Sequence, residues 1–200
     1  MLFQGLLDID NKVLIKQIMK NLTEQIQLTL EFYNTGNLLK AEKTAKKLIL
    51  ENPNIVFLYN LIGLILASQK KIKEAINYYE KGIKIDPTFA LIYNNLGLLY
   101  RNLNTSDSIK KAENFYRKSI LLDRNIAEPY NNLGNLFSSL TKYKDAKDCY
   151  QKAILVNSQF SQSYYNLGTL FLTTGKIDKA KANFNKAIKI NPNFASAHRS

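Results

Sequence analysis

Asparagine side chains recur at short spacing along this sequence, and they are the groups best suited to bind another polypeptide. The residues concerned are Asn60, Asn94, Asn95, Asn131, Asn132, Asn135 and Asn166. Each amide offers two N–H donors and one carbonyl acceptor, which match the C=O and N–H groups of a peptide backbone. The pattern therefore predicts a surface that binds polypeptide.

Residues that commonly act in catalysis are scarce. The only histidine, His198, and the only cysteine, Cys149, are far apart in sequence, so no zinc-binding set is expected. The sequence contains neither a glycine-rich phosphate loop nor a nucleophile elbow. Cys149 precedes Tyr150 in an apolar helical pattern, which favours a packed structural thiol. We expect no enzyme activity, no metal and no cofactor.

The sequence from Ala127 to Phe194 consists of one 34-residue segment followed by a second copy of the same pattern. Tyr130, Leu133, Gly134, Phe137, Ala146, Tyr150 and Ala153 correspond to Tyr164, Leu167, Gly168, Phe171, Ala180, Phe184 and Ala187. The same positions recur upstream. A fixed period of about 34 residues is typical of stacked helix-turn-helix units.

This pattern resembles the tetratricopeptide repeat (TPR) family. The resemblance implies an all-α fold, an α-solenoid in which paired helices form a right-handed superhelix. We predict five repeats, at residues 22–55, 56–89, 90–126, 127–160 and 161–194. Residues 1–21 are expected to form an N-terminal helix that runs into the first repeat and caps it. Residues 195–200 are expected to begin a further, truncated helix.

A helical projection separates two faces of the first helix in each repeat. At about 100° per residue, Leu133, Gly134 and Phe137 fall close to Tyr130 and form the core stripe. Asn131, Asn132 and Asn135 fall about 100° to 200° away, on a face that we expect to be free for binding.

In the TPR family, the free face of the first helices lines a concave groove that holds extended peptides. Asn95, Asn132 and Asn166 occupy places similar to those of the asparagine ladder in arrays like that of O-linked N-acetylglucosamine transferase. The predicted peptide-binding residues are Asn60, Asn94, Asn95, Leu98, Asn102, Asn131, Asn132, Asn135, Tyr165 and Asn166. The alternative is that asparagine is only the commonest residue at these positions of an Asn-rich repeat.

The net charge of +12 raises the possibility of nucleic-acid binding. The lysines, however, are spread over the turns and second helices of all repeats, which favours a solvated outer surface. No apolar run reaches the roughly 18 residues that a membrane span needs. We therefore expect a cytoplasmic protein that binds neither nucleic acid nor membrane.

Two hypotheses about function remain. The first is a non-catalytic scaffold whose groove binds an extended peptide or a partner helix. The second is a substrate-recognition arm of a larger enzyme, because bacterial proteins that resemble this array often carry a C-terminal sulfotransferase or glycosyltransferase domain. No capping helix covers Phe184 and Ile188 in the sequence, so we expect either a segment of a longer protein, which is the favoured alternative, or a homodimer through the last repeat. The sequence identifies neither the partner nor the oligomeric state.

Overall fold

The computed structural model describes the backbone of residues 2–192 and the side chains of residue 17 and of residues 19–192. Within that range the chain forms ten helices and no strand, which confirms the all-α prediction. The predicted helix at residues 195–200 lies outside the described residues. The helices divide between two compact units, unit 1 up to Pro87 and unit 2 from Thr88.

Unit 1 contains four helices: α1 (Leu2–Asn34), α2 (Leu38–Glu51), α3 (Val56–Ser68) and α4 (Ile72–Ile85). The predicted N-terminal extension and the first helix of the first repeat form one uninterrupted helix, α1. Each helix packs against the next one along the chain. The core is made of small and aliphatic side chains and two tyrosine rings, and it includes Ala41, Ala45, Leu48, Leu58, Tyr59, Ile62, Leu66, Ala75 and Tyr79.

Unit 2 contains six helices: α5 (Ala90–Leu103), α6 (Ser106–Leu122), α7 (Ala127–Ser139), α8 (Tyr143–Val156), α9 (Ser161–Thr173) and α10 (Ile177–Ile190). Here too, each helix packs against the next along the chain. A continuous core includes Tyr116, Leu133, Phe137, Tyr150, Leu167 and Phe171. The predicted core residues Leu133 and Phe137 are therefore buried.

A glycine in the first helix of a repeat allows the aromatic ring of the second helix to approach closely. A Cβ atom added to Gly134 would lie 2.6 Å from the ring of Tyr150, and one added to Gly97 would lie 2.6 Å from Tyr116. Such distances are too short for any larger residue without a shift of the ring. The paired positions explain why glycine and an aromatic residue recur together in the sequence.

The turn between the two helices of a repeat contains one residue in the left-handed conformation. The five residues stand at equivalent repeat positions, and their φ angles are positive: Gly36 (77°), Lys70 (63°), Asn104 (52°), Thr141 (58°) and Gly175 (72°). Glycine adopts this conformation without steric cost, whereas a β-branched residue such as Thr141 does so under strain.

The longer turn of the third repeat ends in a capping box. Thr105 Oγ1 accepts a hydrogen bond from the backbone N–H of Ser108, and Ser108 Oγ accepts one from the backbone N–H of Thr105. The N-cap of α6 is thus Thr105, and Ser108 is the third residue of the helix. These reciprocal bonds satisfy two backbone donors and fix the start of α6.

Candidate peptide-binding site

The first helices of the three repeats in unit 2, α5, α7 and α9, pack closer to one another than the second helices do. Helix α7 packs directly against both α5 and α9, whereas the second helices α6, α8 and α10 do not pack against one another in this way. Because one layer of helices is closer together than the other, unit 2 curves towards the first helices. We call the solvent-facing surface of α5, α7 and α9 the concave side.

Amide-to-amide hydrogen bonds join the first helices of unit 2. Asn132 Nδ2 on α7 donates to Asn94 Oδ1 on α5 at 2.9 Å. One repeat later, Asn166 Nδ2 on α9 donates to Asn131 Oδ1 on α7, also at 2.9 Å. In both cases the second asparagine position of one repeat donates to the first position of the repeat before it. The asparagines therefore help to hold neighbouring repeats together.

A second group of polar side chains connects α7, α8 and α9. Asn135 Oδ1 accepts hydrogen bonds from Tyr150 OH at 2.8 Å and from Asn166 Nδ2 at 2.9 Å. Ser163 Oγ donates to Asn131 Oδ1 at 3.1 Å. The Oδ1 atom of Asn166 accepts from Gln162 Nε2 at 3.0 Å. Both donor hydrogens and the acceptor oxygen of Asn166 are therefore engaged within unit 2.

The expectation that all these asparagines lie on a free face is wrong for the repeat position that Asn60, Asn94 and Asn131 share. Asn60, Asn94 and Asn131 are 7%, 7% and 3% exposed. The helical projection considered only the packing of a first helix against second helices. In unit 2 the neighbouring first helices also pack together, and they bury the asparagines that lie between them.

The remaining predicted residues are partly or fully accessible. Asn95, Leu98, Asn132, Asn135, Tyr165 and Asn166 are half-buried, and Asn102 is exposed. Asn95 Oδ1 lies 3.4 Å from Asn94 Nδ2, and the ring of Tyr165 packs against Phe184 at 5.5 Å between centroids. The structure thus brings nine of the ten predicted residues to the first helices of unit 2, and Asn60 belongs to unit 1.

Two amide atoms on α7 are still available for binding. Asn132 Oδ1 and Asn135 Nδ2 make no hydrogen bond with any of the described residues, and both side chains are half-exposed. The two residues are three positions apart and therefore lie on one face of the helix. Together they offer one acceptor and one donor to solvent.

The concave side carries little charge. The only ionisable side chains of Lys, Arg, Asp or Glu type on α5, α7 and α9 are Arg101 and Glu128. The helices of this side therefore contribute almost none of the net charge of +12. A polypeptide bound here would meet amides, hydroxyls and apolar groups.

Two buried ionisable groups of helix α8 are ordinary structural ones. Burial raises the pKa of the Tyr150 phenol to about 12 and that of the Cys149 thiol to about 11, so both groups stay protonated at neutral pH. No group of three or more His, Cys, Asp or Glu side chains is placed to hold a metal ion between residues 17 and 192.

Three polar residues of this network are not among the ten predicted peptide-binding residues: Tyr150, Gln162 and Ser163. Ser163 is fully buried in α9. Its position directly before Tyr164, among core residues, could have indicated a satisfied buried hydroxyl. Gln162 precedes Asn166 by one helical turn, a spacing at which two amide side chains on a helix interact.

This arrangement of stacked helical hairpins defines a helical-repeat protein. Models of the tetratricopeptide repeat match residues 127–160 and 161–194, and two further TPR models match residues 90–126 and 63–104. Together these matches cover more than half of the chain. The chain therefore belongs to the tetratricopeptide repeat proteins, a family of protein-interaction scaffolds. No curated protein sequence gives a significant match.

Solved structures of TPR proteins share the fold. MamA is 22% identical, with a TM-score of 0.61, and the match covers 88% of this chain and 95% of MamA. A thermophilic TPR protein of Thermus thermophilus is 16% identical, with a TM-score of 0.75 and coverage of 86% and 92%. YrrB, described as a TPR protein with an unusual peptide-binding site, is 18% identical, with a TM-score of 0.55 and coverage of 84% and 85%. Among the described residues, no helix is long and apolar enough to cross a membrane.

Proposed function

We propose that the concave side of unit 2 binds an extended segment of a protein partner, and that the chain acts as an interaction scaffold without catalytic activity. The observation that carries this proposal is the pair of unengaged amide atoms on α7, Asn132 Oδ1 and Asn135 Nδ2. One accepts from a peptide N–H and the other donates to a peptide C=O.

The amide network beneath these atoms supports the proposal. Asn94 holds Asn132 and Asn166 holds Asn135, each through a hydrogen bond of 2.9 Å, and Asn166 is itself bonded to Asn131 at 2.9 Å. The two contact residues are therefore positioned before a ligand arrives. Because little side-chain freedom is left to lose, less of the interaction energy is spent on ordering the site.

Hydrogen bonds alone give weak binding, so apolar contacts must contribute. Two hydrogen bonds add about 1–3 kcal/mol net, whereas a dissociation constant near 1 µM corresponds to about 8 kcal/mol. Leu98 on α5 and Tyr165 on α9 are half-buried side chains on either side of α7 that supply apolar surface. Asn95 and Asn102 remain predicted contacts at the α5 edge of the site.

The near-neutral concave side favours an uncharged polar peptide. Peptides selected from a random phage-displayed library on the native chain provide the ligands for a test. Their affinities are measured by fluorescence anisotropy for the native chain and for Asn135→Asp. This substitution keeps an acceptor for Tyr150 and Asn166 but replaces the unengaged donor with an oxygen that repels a peptide carbonyl.

We expect Asn135→Asp and Leu98→Asp each to weaken peptide binding about tenfold or more. The control is Lys144→Ala, an exposed residue on α8 outside this side of unit 2, which should leave the affinity within about twofold. Selected peptides that bind both concave-side variants as tightly as the native chain would contradict the proposal.

Self-association is a second candidate arrangement. On α10, Ile177 and Ile188 are 67% and 42% exposed, and such apolar side chains are suited to a contact between two copies. A homodimer would give twice the monomer mass in light scattering, and Ile188→Lys should restore the monomer mass. A monomer mass for the native chain would exclude this arrangement. The cytoplasmic location and the enzyme-arm hypothesis stay predictions.

A further inference from the structure

The positive charge of unit 2 is concentrated on its second helices. Helices α6, α8 and α10 carry eleven Lys or Arg residues against five Asp or Glu residues. Lys118, Lys152 and Lys186 occupy the same position in three successive repeats, and all three are exposed. The surface opposite the concave side is therefore basic.

A cleft of about 640 Å³ opens on this basic surface. Its floor is formed by side chains of α7, including Phe137, and its walls are formed by α6 and α8. Leu121 stands on the α6 wall with 64% of its surface exposed. We call this space the outer cleft. It combines an apolar floor with accessible charged walls.

The outer cleft follows from the repeat itself. A second cleft of about 420 Å³ uses the equivalent residues one repeat later: Ile154, Leu155, Tyr164, Leu167 and Phe171 in place of Ile120, Leu121, Tyr130, Leu133 and Phe137. Leu155 is 86% exposed, as an equivalent of Leu121 should be. An extended ligand could therefore contact apolar side chains at repeated intervals.

The cations of the outer cleft differ in whether they are already engaged. Arg117 forms an ion pair with Glu113 at 2.9 Å and lies over the ring of Phe137, 5.7 Å from its centroid. Lys142 lies over the same ring at 5.6 Å. Arg124 and Lys152 line the cleft but make no ion pair with any described residue. These two cations remain available for carboxylates.

We infer that the outer cleft binds an acidic peptide segment of a protein partner. An apolar side chain of that segment packs against the exposed Leu121 and the half-buried Tyr130, and its flanking carboxylates pair with Arg124 and Lys152. Bidentate binding of a carboxylate by an arginine fixes its orientation as well as adding attraction. This site is separate from the concave side and does not depend on the proposed function.

The walls of the cleft favour a peptide over a nucleic acid. Asp145 and Asp148 line the same space as the cations, and their carboxylates would repel a continuous phosphate backbone. The ring of Phe137 is buried beneath Arg117 and Lys142, so it is not presented for stacking on a base. An acidic peptide can place its charges beside Arg124 and Lys152 and its apolar group elsewhere.

The test uses a fluorescein-labelled synthetic peptide with glutamates on both sides of a central Leu–Phe pair. Binding to the full chain is measured by anisotropy at about 0.15 M salt, where unspecific surface attraction is screened. We expect Arg124→Ala combined with Lys152→Ala to weaken binding about tenfold or more. Leu121→Gln, a change at an exposed residue, should weaken it at least about threefold.

The matched control combines Lys110→Ala with Lys189→Ala, which removes the same charge from exposed sites outside the outer cleft. It should leave the affinity within about twofold. A peptide with glutamines in place of the glutamates should not bind. The inference is overturned if the acidic peptide does not bind, if the cleft and control double variants weaken it equally, or if a labelled oligothymidine of similar length binds more tightly than the peptide.

Discussion

Asn132 Nδ2 donates a hydrogen bond to Asn94 Oδ1 across the boundary between two repeats, and Asn166 repeats this contact with Asn131 one repeat later. An asparagine pair therefore has two roles. The first residue of the pair is buried, and its side-chain oxygen accepts a hydrogen bond from the following repeat. The second residue donates a hydrogen bond to the preceding repeat. In Asn132, the oxygen of this second residue makes no hydrogen bond with a described residue. We therefore expect adjacent residues to differ in role, with Asn131 contributing to stability and Asn132 to peptide binding.

Removing the buried acceptor should destabilise unit 2. Asn131→Ala leaves the Ser163 hydroxyl and the Asn166 amide without their shared acceptor, and Ser163 is fully buried. We expect a loss of about 1–3 kcal/mol in the free energy of unfolding, measured by urea denaturation. Asn102→Ala, at an exposed position, should change it by less than about 0.5 kcal/mol. Equal effects of the two substitutions would show that Asn131 does not join the repeats.

Two tyrosines at equivalent repeat positions should respond differently to loss of their hydroxyl groups. Tyr150 OH donates to Asn135 at 2.8 Å, so Tyr150→Phe should lower the free energy of unfolding by about 1 kcal/mol. Tyr116 OH is buried and makes no hydrogen bond with the described residues, so Tyr116→Phe should leave stability unchanged or raise it by up to about 1 kcal/mol. The fifth repeat already has Phe184 here. Chemical denaturation of both variants measures the two changes. A larger loss in the free energy of unfolding for Tyr116→Phe than for Tyr150→Phe would contradict this expectation.

The left-handed turn residue offers a route to higher stability. Thr141 adopts φ 58°, a conformation that costs a residue with a Cβ about 1–2 kcal/mol. Thr141→Gly should raise the free energy of unfolding by about 0.5–1 kcal/mol, because glycine's greater freedom in the unfolded chain offsets part of the gain. The reverse change at the equivalent position, Gly175→Ala, should lower it by about 1 kcal/mol. Thermal unfolding of both variants and of the native chain checks the prediction. A Thr141→Gly variant that is less stable than the native chain would contradict it.

An ion cluster in unit 1 should make stability depend on acidic pH. Glu42 accepts hydrogen bonds from Lys46 and from Lys71, the latter at 2.8 Å, and these ammonium groups lower the pKa of Glu42 to about 2 from its usual 4.5. Because the folded state binds this proton less readily than the unfolded state, the stabilisation is present above about pH 4.5 and is lost as the pH falls towards about 2.

Glu42→Gln should therefore cost about 1–2 kcal/mol at neutral pH, since both lysines remain in contact with water. The difference from the native chain should shrink by about half at pH ~3, measured by urea denaturation. Glu51→Gln is the control, because Glu51 forms only an exposed pair with Lys47 at 3.6 Å. If the native chain and Glu42→Gln differ by the same free energy of unfolding at both pH values, the lowered pKa of Glu42 is not the source of the pH dependence.

The sequence was sufficient to predict the fold and the core, because both follow from a repeated pattern. Gly134 and Tyr150 recur together, and their close contact is the physical reason. Burial of Asn131 could not be predicted from one repeat alone, since it depends on how closely neighbouring first helices pack. The same holds for the strained φ at Thr141, where the turn geometry of the repeat overrides the preference of the residue.

The most direct test of the concave-side site is an NMR titration of the isotope-labelled chain with a selected peptide. We expect chemical shifts to change along α5, α7 and α9, and the side-chain NH₂ signals of Asn135 to move as its unengaged donor binds a peptide carbonyl. Shift changes confined to α6, α8 and α10, with the Asn135 side-chain signals unmoved, would contradict it.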